Sequence, residues 1–161
     1  MRRKWPALLC LLGMVSLAPS CETARPTVEK PSTATAYPSS LEEQFVHQTV
    51  FDLRDRYLAA DVEGFMRLVS DGFYRGRARI QQSLTDTLAV RRPDEIDVVI
   101  QGIEIEEIKI SASVTWTSVF SGRTGEETRR ISGETLLIFQ RGDGISLVDF
   151  RKDPLFGIEG F

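Results

Sequence analysis

Three arginines lie close together near the middle of this sequence. Arg75, Arg77 and Arg79 alternate around Gly76. Guanidinium groups bind carboxylates and phosphates through paired hydrogen bonds, so a converging set could hold an anionic ligand or partner at the rim of a pocket. The alternative is ordinary solvation and pairing with the surplus of acidic side chains. An anion-binding rim is therefore one candidate site.

The remaining catalytic residue types are sparse. His47 is the only histidine, so a metal site would lack a second imidazole, and we expect His47 to be a half-exposed helix residue. The sequence contains no Gly-rich phosphate loop, no Cys/His metal spacing and no nucleophile elbow. We therefore expect no catalytic constellation, no metal and no cofactor.

A second candidate site is a pocket lined by Tyr57, Trp116, Asp149 and Arg151. Asp149 and Arg151 flank Phe150 and share one face of a predicted strand, where they could form a polar pair near a pocket. Pairing across neighbouring strands at the surface explains them equally well. For Tyr57, the alternative is a core aromatic residue whose hydroxyl reaches polar surroundings.

The first twenty residues have the three parts of an export signal. Arg2, Arg3 and Lys4 precede an apolar run over residues 6–17, and small residues end it at 18–20. The run is shorter than the roughly 20 residues that cross a bilayer. We therefore predict that residues 1–20 are a cleaved signal peptide.

Residues 17–21, Leu-Ala-Pro-Ser-Cys, resemble the end of a bacterial lipoprotein signal. This resemblance implies that Cys21 becomes the lipid-modified N-terminus of a protein in the cell envelope. Glu22, rather than Asp, after the cysteine implies an outer-membrane anchor facing the periplasm, as in enteric bacteria. The alternative is an ordinary cleaved signal followed by a free thiol. Cys10 would leave with the signal, so no intramolecular disulfide is predicted.

The next segment, residues 21–40, is rich in Pro, Ser and Thr and is predicted to be a flexible tether with a reach on the order of 25 Å. The chain has 20 basic and 23 acidic residues, and three of the basic ones lie in the signal, so the net charge from residue 21 onward is −6. That charge argues against nucleic-acid binding and favours a covalent lipid anchor as the route to the membrane.

Residues 41–161 form the predicted domain. Ser40 and Glu43 form a capping box, and apolar residues at helical spacing follow. After Pro93 the apolar period changes to two, with a bulge predicted at Gly102. The order is α+β, with N-terminal helices packed on a curved antiparallel sheet. The predicted helices are one at 41–59, a second that Asp61 caps and that runs through Val69, and a third that Ile80, Leu84 and Leu88 mark and that stops before Pro93. An extended piece is predicted at 72–75, strands from after Pro93 to Ile105 and at 108–117, 131–140 and 145–150, and turns at 121–125 and 142–144.

Residues 56–66, RYLAADVEGFM, with Val69-Ser70-Asp71 resemble the opening of the nuclear transport factor 2-like (NTF2-like, SnoaL-like) superfamily. The resemblance implies a cone in which a sheet wraps a long helix around an open pocket. In isomerase-like members a Tyr of the first helix stabilises an oxyanion and a carboxylate removes a proton. Tyr57 lies near the place of that Tyr, but Arg75-Gly76 occupy the place of the acid.

The functional expectation is accordingly non-catalytic. We expect a lipid-anchored envelope protein whose cone domain binds a small apolar ligand, forms a homodimer, or assembles with an envelope protein. The alternative is an isomerase or hydrolase that uses the cone pocket. The apolar tail at residues 153–161 is expected either to fold over the cone mouth or to mediate self-association.

Overall fold

The computed structural model describes residues 40–121, 128–142 and 144–160. The predicted signal and tether up to residue 39, Cys21, most of the predicted turn at 121–125, and Asp143 lie outside the described residues. The elements, in chain order, are α1 (Leu41–Leu58), α2 (Val62–Arg67), α3 (Arg77–Val90), β1 (Pro93–Ile105), β2 (Lys109–Phe120), β3 (Arg129–Arg141), β4 (Ile145–Lys152) and a short 3₁₀ turn at Leu155–Gly157.

Helix α1 begins at the predicted capping box. The Glu43 N–H donates to Ser40 Oγ at 3.1 Å, and the Ser40 N–H donates to Glu43 Oε2 at 3.3 Å. The pair satisfies two of the amide groups that a helix start leaves without partners. The buried face of the helix is continuous, and its core side chains are Val46, Val50, Leu53 and Tyr57. The predicted first helix is confirmed.

Helix α2 is shorter than predicted. It ends at Arg67 rather than near Val69, because the chain there pairs with β4 instead of continuing the helix. The Leu147 N–H donates to the Leu68 carbonyl at 2.9 Å, and the Ser70 N–H donates to the Leu147 carbonyl at 2.8 Å. The extended piece predicted at 72–75 is instead a pair of turns. Backbone pairing with the sheet edge thus overrides the local helical pattern.

The sheet is a four-stranded antiparallel meander in the order β1-β2-β3-β4. Its register shifts between Ile100 and Gly102, which confirms the predicted bulge, and again between Ile138 and Phe139. Such shifts increase the local twist and bend a sheet. The inner face packs on α1 and the outer face is turned away from the helices. The predicted α+β class, helices on one face of a curved antiparallel sheet, is confirmed.

Candidate functional site: the interior of the cone

Tyr57 and Trp116 both face the inside of the cone, and a residue of the C-terminal tail lies against both. The Phe156 ring stacks on Tyr57 with centroids 5.9 Å apart and meets Trp116 edge-on at 6.4 Å. The side chains of Tyr57 and Phe156 are fully buried, and Trp116 is nearly so. Both separations lie in the range of favourable aromatic pairs. The space between α1 and the sheet at this end is therefore filled by the protein's own chain.

A chain of hydrogen bonds fixes the start of the tail on the sheet. Trp116 Nε1 donates to Thr135 Oγ1 at 2.9 Å, and that hydroxyl donates to the Asp153 carbonyl at 2.9 Å. The Ser118 hydroxyl donates to the Phe156 carbonyl at 3.2 Å. These buried polar groups are satisfied by tail backbone, so the tail completes the interior.

The tail backbone takes a sharp course to insert Phe156. Phe156 has φ +54° and Gly157 has φ +81°, both in the left-handed region. This region is unfavourable for a residue with a side chain. Leu155 and Ile158 are fully buried on either side. Burial of these three side chains offsets the backbone strain at Phe156.

The end of the tail is fastened to α3. The Glu159 N–H donates to Thr87 Oγ1 at 3.1 Å, and the Glu159 carboxylate pairs with Arg91. Arg79 donates to the Gly160 carbonyl at 3.3 Å. Arg91 also lies over the Phe120 ring, 5.4 Å from its centroid. The tail is thus held both inside the cone and across its mouth.

The Tyr57 hydroxyl is buried and has no hydrogen-bond partner within the described ranges. Burial raises the pKa of Tyr57 to about 12, and the positive charge of Arg91 acts in the opposite direction. A phenol in this state is a poor acid. The hydroxyl of this ring, which stacks on Phe156, is nevertheless a hydrogen-bond donor without a partner among the described residues.

Asp149 and Arg151 lie on the other side of the sheet from Tyr57 and Trp116. Alternate residues of a strand point to opposite faces, and Phe150 between them takes the inner one. Arg151 Nε donates to Asp149 Oδ2 at 3.1 Å, and Arg75 Nε lies 3.9 Å from Asp149 Oδ1. The four predicted pocket residues therefore do not form one site. Asp149 is only 6% exposed, and Arg75 and Arg151 neutralise its charge.

The three arginines of the predicted rim do not converge. Arg77 pairs with Asp71 at 3.1 Å and also donates to the Val69 carbonyl, whereas Arg79 reaches the tail and Arg75 reaches Asp149. Each guanidinium interacts with a different group, because the three side chains leave the turn before α3 and its first turn in different directions. Anion binding by the set stays a prediction, without a shared cradle.

The outer face of the sheet carries an open groove of about 400 Å³. Thr117 and Ser132 are hydrogen-bonded across the strands at 2.9 Å, and Gln101 Nε2 donates to Thr115 Oγ1 at 3.0 Å. Short side chains in the centre leave the strands accessible. The groove is lined by Asp97, Val99, Thr115, Trp116, Thr117, Ser132, Gly133 and Glu134.

Metal clusters and membrane-spanning helices are both absent from the described ranges. No group of three or more His, Cys, Asp or Glu side chains there is arranged to hold a metal ion. No helix in the same ranges is long and apolar enough to cross a membrane.

The residue that sequence reasoning missed is Phe156. The apolar tail was a visible signal, and its folding over the mouth was one of two expected outcomes. The insertion of one particular ring against Tyr57 depends on the left-handed backbone at Phe156 and Gly157, and composition alone does not predict it. The pairing of Arg91 with the tail could not be predicted either, because its partner Glu159 lies 68 residues away in the chain.

No protein-family model matches this chain, and no curated protein does either. Solved structures match it. A conserved protein from Planctomyces limnophilus superposes with a TM-score of 0.62 at 16% identity, covering 68% of this chain and 92% of that one. A ketosteroid isomerase-like protein from Erwinia carotovora atroseptica gives 0.58 at 7% identity, covering 66% and 91%. An NTF2-like protein from Cytophaga hutchinsonii gives 0.57 at 13% identity, covering 69% and 96%.

These similarities show the fold alone. The chain has the NTF2-like cone fold, as the opening motif implied. They leave substrate, partner and location open, because one fold supports many functions.

Proposed function

We propose that this protein is a lipid-anchored envelope protein whose cone domain is a non-catalytic module for protein interaction. One observation carries the proposal: Phe156 fills the interior against Tyr57 and Trp116. The same interior would have to hold a substrate or a small apolar ligand. A domain that closes it with its own tail leaves its outer surface for binding.

The arrangement around Tyr57 argues against isomerase-type catalysis. An oxyanion donor must lie about 3 Å from the reacting oxygen, whereas this hydroxyl is shut beneath a stacked ring. The place of the acid in isomerase-like relatives falls on Arg75-Gly76, and neither residue can act as a carboxylate base. Asp149, a buried acid that lies close to Arg75 in space, is on the other face of the sheet.

The outer sheet face is the surface we assign to the interaction. The outward residues of β2 include Ser113, Thr115 and Thr117, which are half-buried and short enough for another surface to approach the strands closely. The face also carries both signs of charge. Asp97 and Glu134 line the groove, and Arg130 lies two residues before Ser132 on the same strand. A two-fold related copy could pair opposite charges across such a face. The partner we propose is a second copy of this chain.

The anchor is the lipidated Cys21 that the export signal predicts. Residues 21–40 would then connect the lipid to the start of α1. A domain that belongs to a chain with net charge −6 after signal removal gains little from anionic headgroups. A covalent lipid therefore suits it better than electrostatic attachment.

Native mass spectrometry of the full-length protein, extracted from its own membranes, tests these points together. We expect an acyl mass, a dimer and no non-covalent small-molecule mass. Cys21→Ala should lose the acyl mass, and Thr117→Arg should lose the dimer, while Thr85→Arg on exposed α3 should keep it. An additional small-molecule mass would contradict the filled interior. Detection of one copy bound to another envelope protein would contradict the homodimer and identify that protein as the partner.

A second function has one observation in its favour. The Tyr57 hydroxyl is a buried donor with no partner in the described part of the chain, and an unsatisfied buried hydroxyl costs about 1–3 kcal/mol. A polar small molecule that displaced the tail would satisfy it. This alternative, a ligand binder or an isomerase, predicts saturable binding of a small molecule. Breaking the Arg91–Glu159 ion pair should strengthen that binding, because the pair holds the tail that the ligand must displace. Turnover of a ketosteroid or epoxide that disappears in Tyr57→Phe would establish the enzyme.

A further inference from the structure

The apolar side chains that the domain leaves in water are concentrated at one end. Six large hydrophobic side chains are exposed in the described ranges, and four of them lie at the end where α1 begins and β1 turns into β2. We call this surface the apolar end. It comprises Leu41 (66% exposed), Phe45 (53%), Ile105 (37%) and Ile108 (73%), with half-buried Ile145 beside them.

Arg141 binds the parts of the apolar end together. Its guanidinium pairs with Glu42 at 2.8 Å and donates to the Glu107 carbonyl at 3.1 Å, and its backbone N–H donates to the Ile108 carbonyl at 3.3 Å. The first turn of α1, the β1–β2 turn and the end of β3 are thereby linked. A hollow of about 350 Å³ lies between the start of α1, the end of β3 and the start of β4, lined by Glu42, Phe45, Arg141, Gly142, Gly144 and Ile145. The exposed side chains thus project from a fixed frame.

This end is also where the chain enters the domain. Ser40 immediately precedes Leu41, and the predicted anchor, Cys21, lies nineteen residues earlier. A coil of that length reaches on the order of 25 Å, so an anchored domain stays beside the bilayer. Burying a large apolar side chain is favourable by about 1.5–3 kcal/mol. Three or four such side chains next to the anchor could supply a shallow interfacial contact at high local concentration.

We propose that the apolar end docks into the interface of the membrane that carries the lipid anchor. The inference rests on the proposed anchoring through Cys21. Docking would orient α1 with its start towards the bilayer and hold the tail-filled end of the cone away from it. The outer sheet face would then stand beside the membrane, open to a partner.

The charges at this end specify the lipid. Glu106 and Glu107 are exposed in the β1–β2 turn, and Arg141 is already paired with Glu42. An anionic surface would repel these carboxylates, so the surface that fits is zwitterionic. We therefore expect docking on phosphatidylethanolamine and phosphatidylcholine, weakened by added phosphatidylglycerol.

The test uses the mature lipidated chain with one engineered cysteine. Signal removal discards Cys10 and acylation blocks Cys21, so Ile108→Cys would be the single free thiol. Val90→Cys is the matched control: Val90 is 75% exposed against 73% for Ile108. It lies at the opposite end, because α3 ends there just before Pro93, which pairs with Phe120. Both variants carry an environment-sensitive dye and are reconstituted in zwitterionic vesicles that contain brominated lipid.

We expect brominated lipid to quench the dye at position 108 at least threefold more strongly than at position 90. Phe45→Gln in the Ile108→Cys background should reduce that difference, because it removes an exposed apolar side chain from the apolar end. Equal quenching at both positions in protein that floats with the vesicles would overturn docking and leave the anchor intact. A dye at position 108 that reports shielding from water but is not quenched by brominated lipid would also overturn docking on the membrane. It would show that a protein covers this surface instead. If the protein does not float with the vesicles, it is not anchored, and the docking inference fails together with the proposed anchoring.

Discussion

The ring of Phe156 lies on the ring of Tyr57, with centroids 5.9 Å apart and planes inclined by 24°. Tyr57 belongs to the first helix and Phe156 to the C-terminal tail, so the contact joins the two ends of the domain. It places an apolar ring where a cone fold with an open pocket would hold its ligand. We base the proposed role of an interaction module, rather than an enzyme, on this contact.

Replacing Tyr57 by Phe should stabilise the domain. The substitution removes a buried hydroxyl without a partner in the described ranges and keeps the ring stack, so we expect a gain of about 1 kcal/mol in the free energy of unfolding. Urea unfolding of the mature chain measures it. Loss of stability would show that the hydroxyl has a partner in solution.

The pH dependence of stability should change with the same substitution. Because the folded pKa of Tyr57 is raised to about 12 from its ordinary value of 10.0, the folded state holds this proton more tightly than the unfolded state. Its contribution is complete below pH 10.0 and is lost as the pH rises towards 12. Up to roughly 3 kcal/mol would disappear over that window. Tyr57→Phe should lack this component, and its tyrosinate absorbance step near pH 12 should be missing.

Removing the charge of Arg91 should move that titration further. The Arg91 charge lowers the pKa of Tyr57, against the larger effect of burial, so Arg91→Gln should delay tyrosinate formation to higher pH. Glu159→Gln also breaks the Arg91–Glu159 pair but keeps the arginine, and it should not delay the step. A similar delay in both variants would mean that tail closure, rather than the arginine charge, sets the titration.

Truncating Phe156 should be strongly destabilising. Phe156→Ala removes a fully buried ring and should reduce the free energy of unfolding by about 3–5 kcal/mol. Phe156→Gly should be less damaging than the alanine variant, because the backbone there has φ +54°. Tyr74→Ala, at an 83% exposed aromatic, should change stability by less than about 0.5 kcal/mol. An order in which Gly is worse than Ala would contradict the left-handed backbone at this position.

Two glycines of the sheet should respond differently to a methyl group. A Cβ at Gly133 would lie 2.5 Å from Trp116 Cζ2, whereas a Cβ at Gly102 would meet nothing within 4 Å. Trp116 is held by its hydrogen bond to Thr135 and cannot move freely. We expect Gly133→Ala to cost about 1–3 kcal/mol and Gly102→Ala to be nearly neutral, as measured by thermal unfolding. Equal effects would mean that Trp116 is not packed against β3.

Much of the fold could be predicted from the sequence because its signals are local. The Ser40–Glu43 capping box, the apolar period of α1, the change of period after Pro93 and the bulge at Gly102 all appear in the structure. The end of α2 could not be predicted, because Leu68 and Ser70 bond to Leu147, about eighty residues away in the chain. A pairing partner at that distance leaves no mark on the helical pattern.

The candidate site could be predicted only in part, because its geometry depends on long-range packing. Tyr57 and Trp116 both face the interior and contact Phe156. The bulge and pairing of β4 place Asp149 and Arg151 on the outer face. Arg75, Arg77 and Arg79 are close in sequence but interact with three different groups. Residues that are close in sequence do not have to point to one place when the chain passes from a turn into a helix, because their side chains then leave in different directions.

The most direct test of the filled interior is a nuclear Overhauser measurement on the mature chain in solution. If Phe156 fills the interior, we expect strong cross-peaks between the ring protons of Phe156 and Tyr57, weaker ones from Phe156 to Trp116, and slow amide exchange at Ile158. Absent cross-peaks together with fast-exchanging tail amides would show that the cone stands open. The domain would then have to be studied as a small-molecule binder or an enzyme.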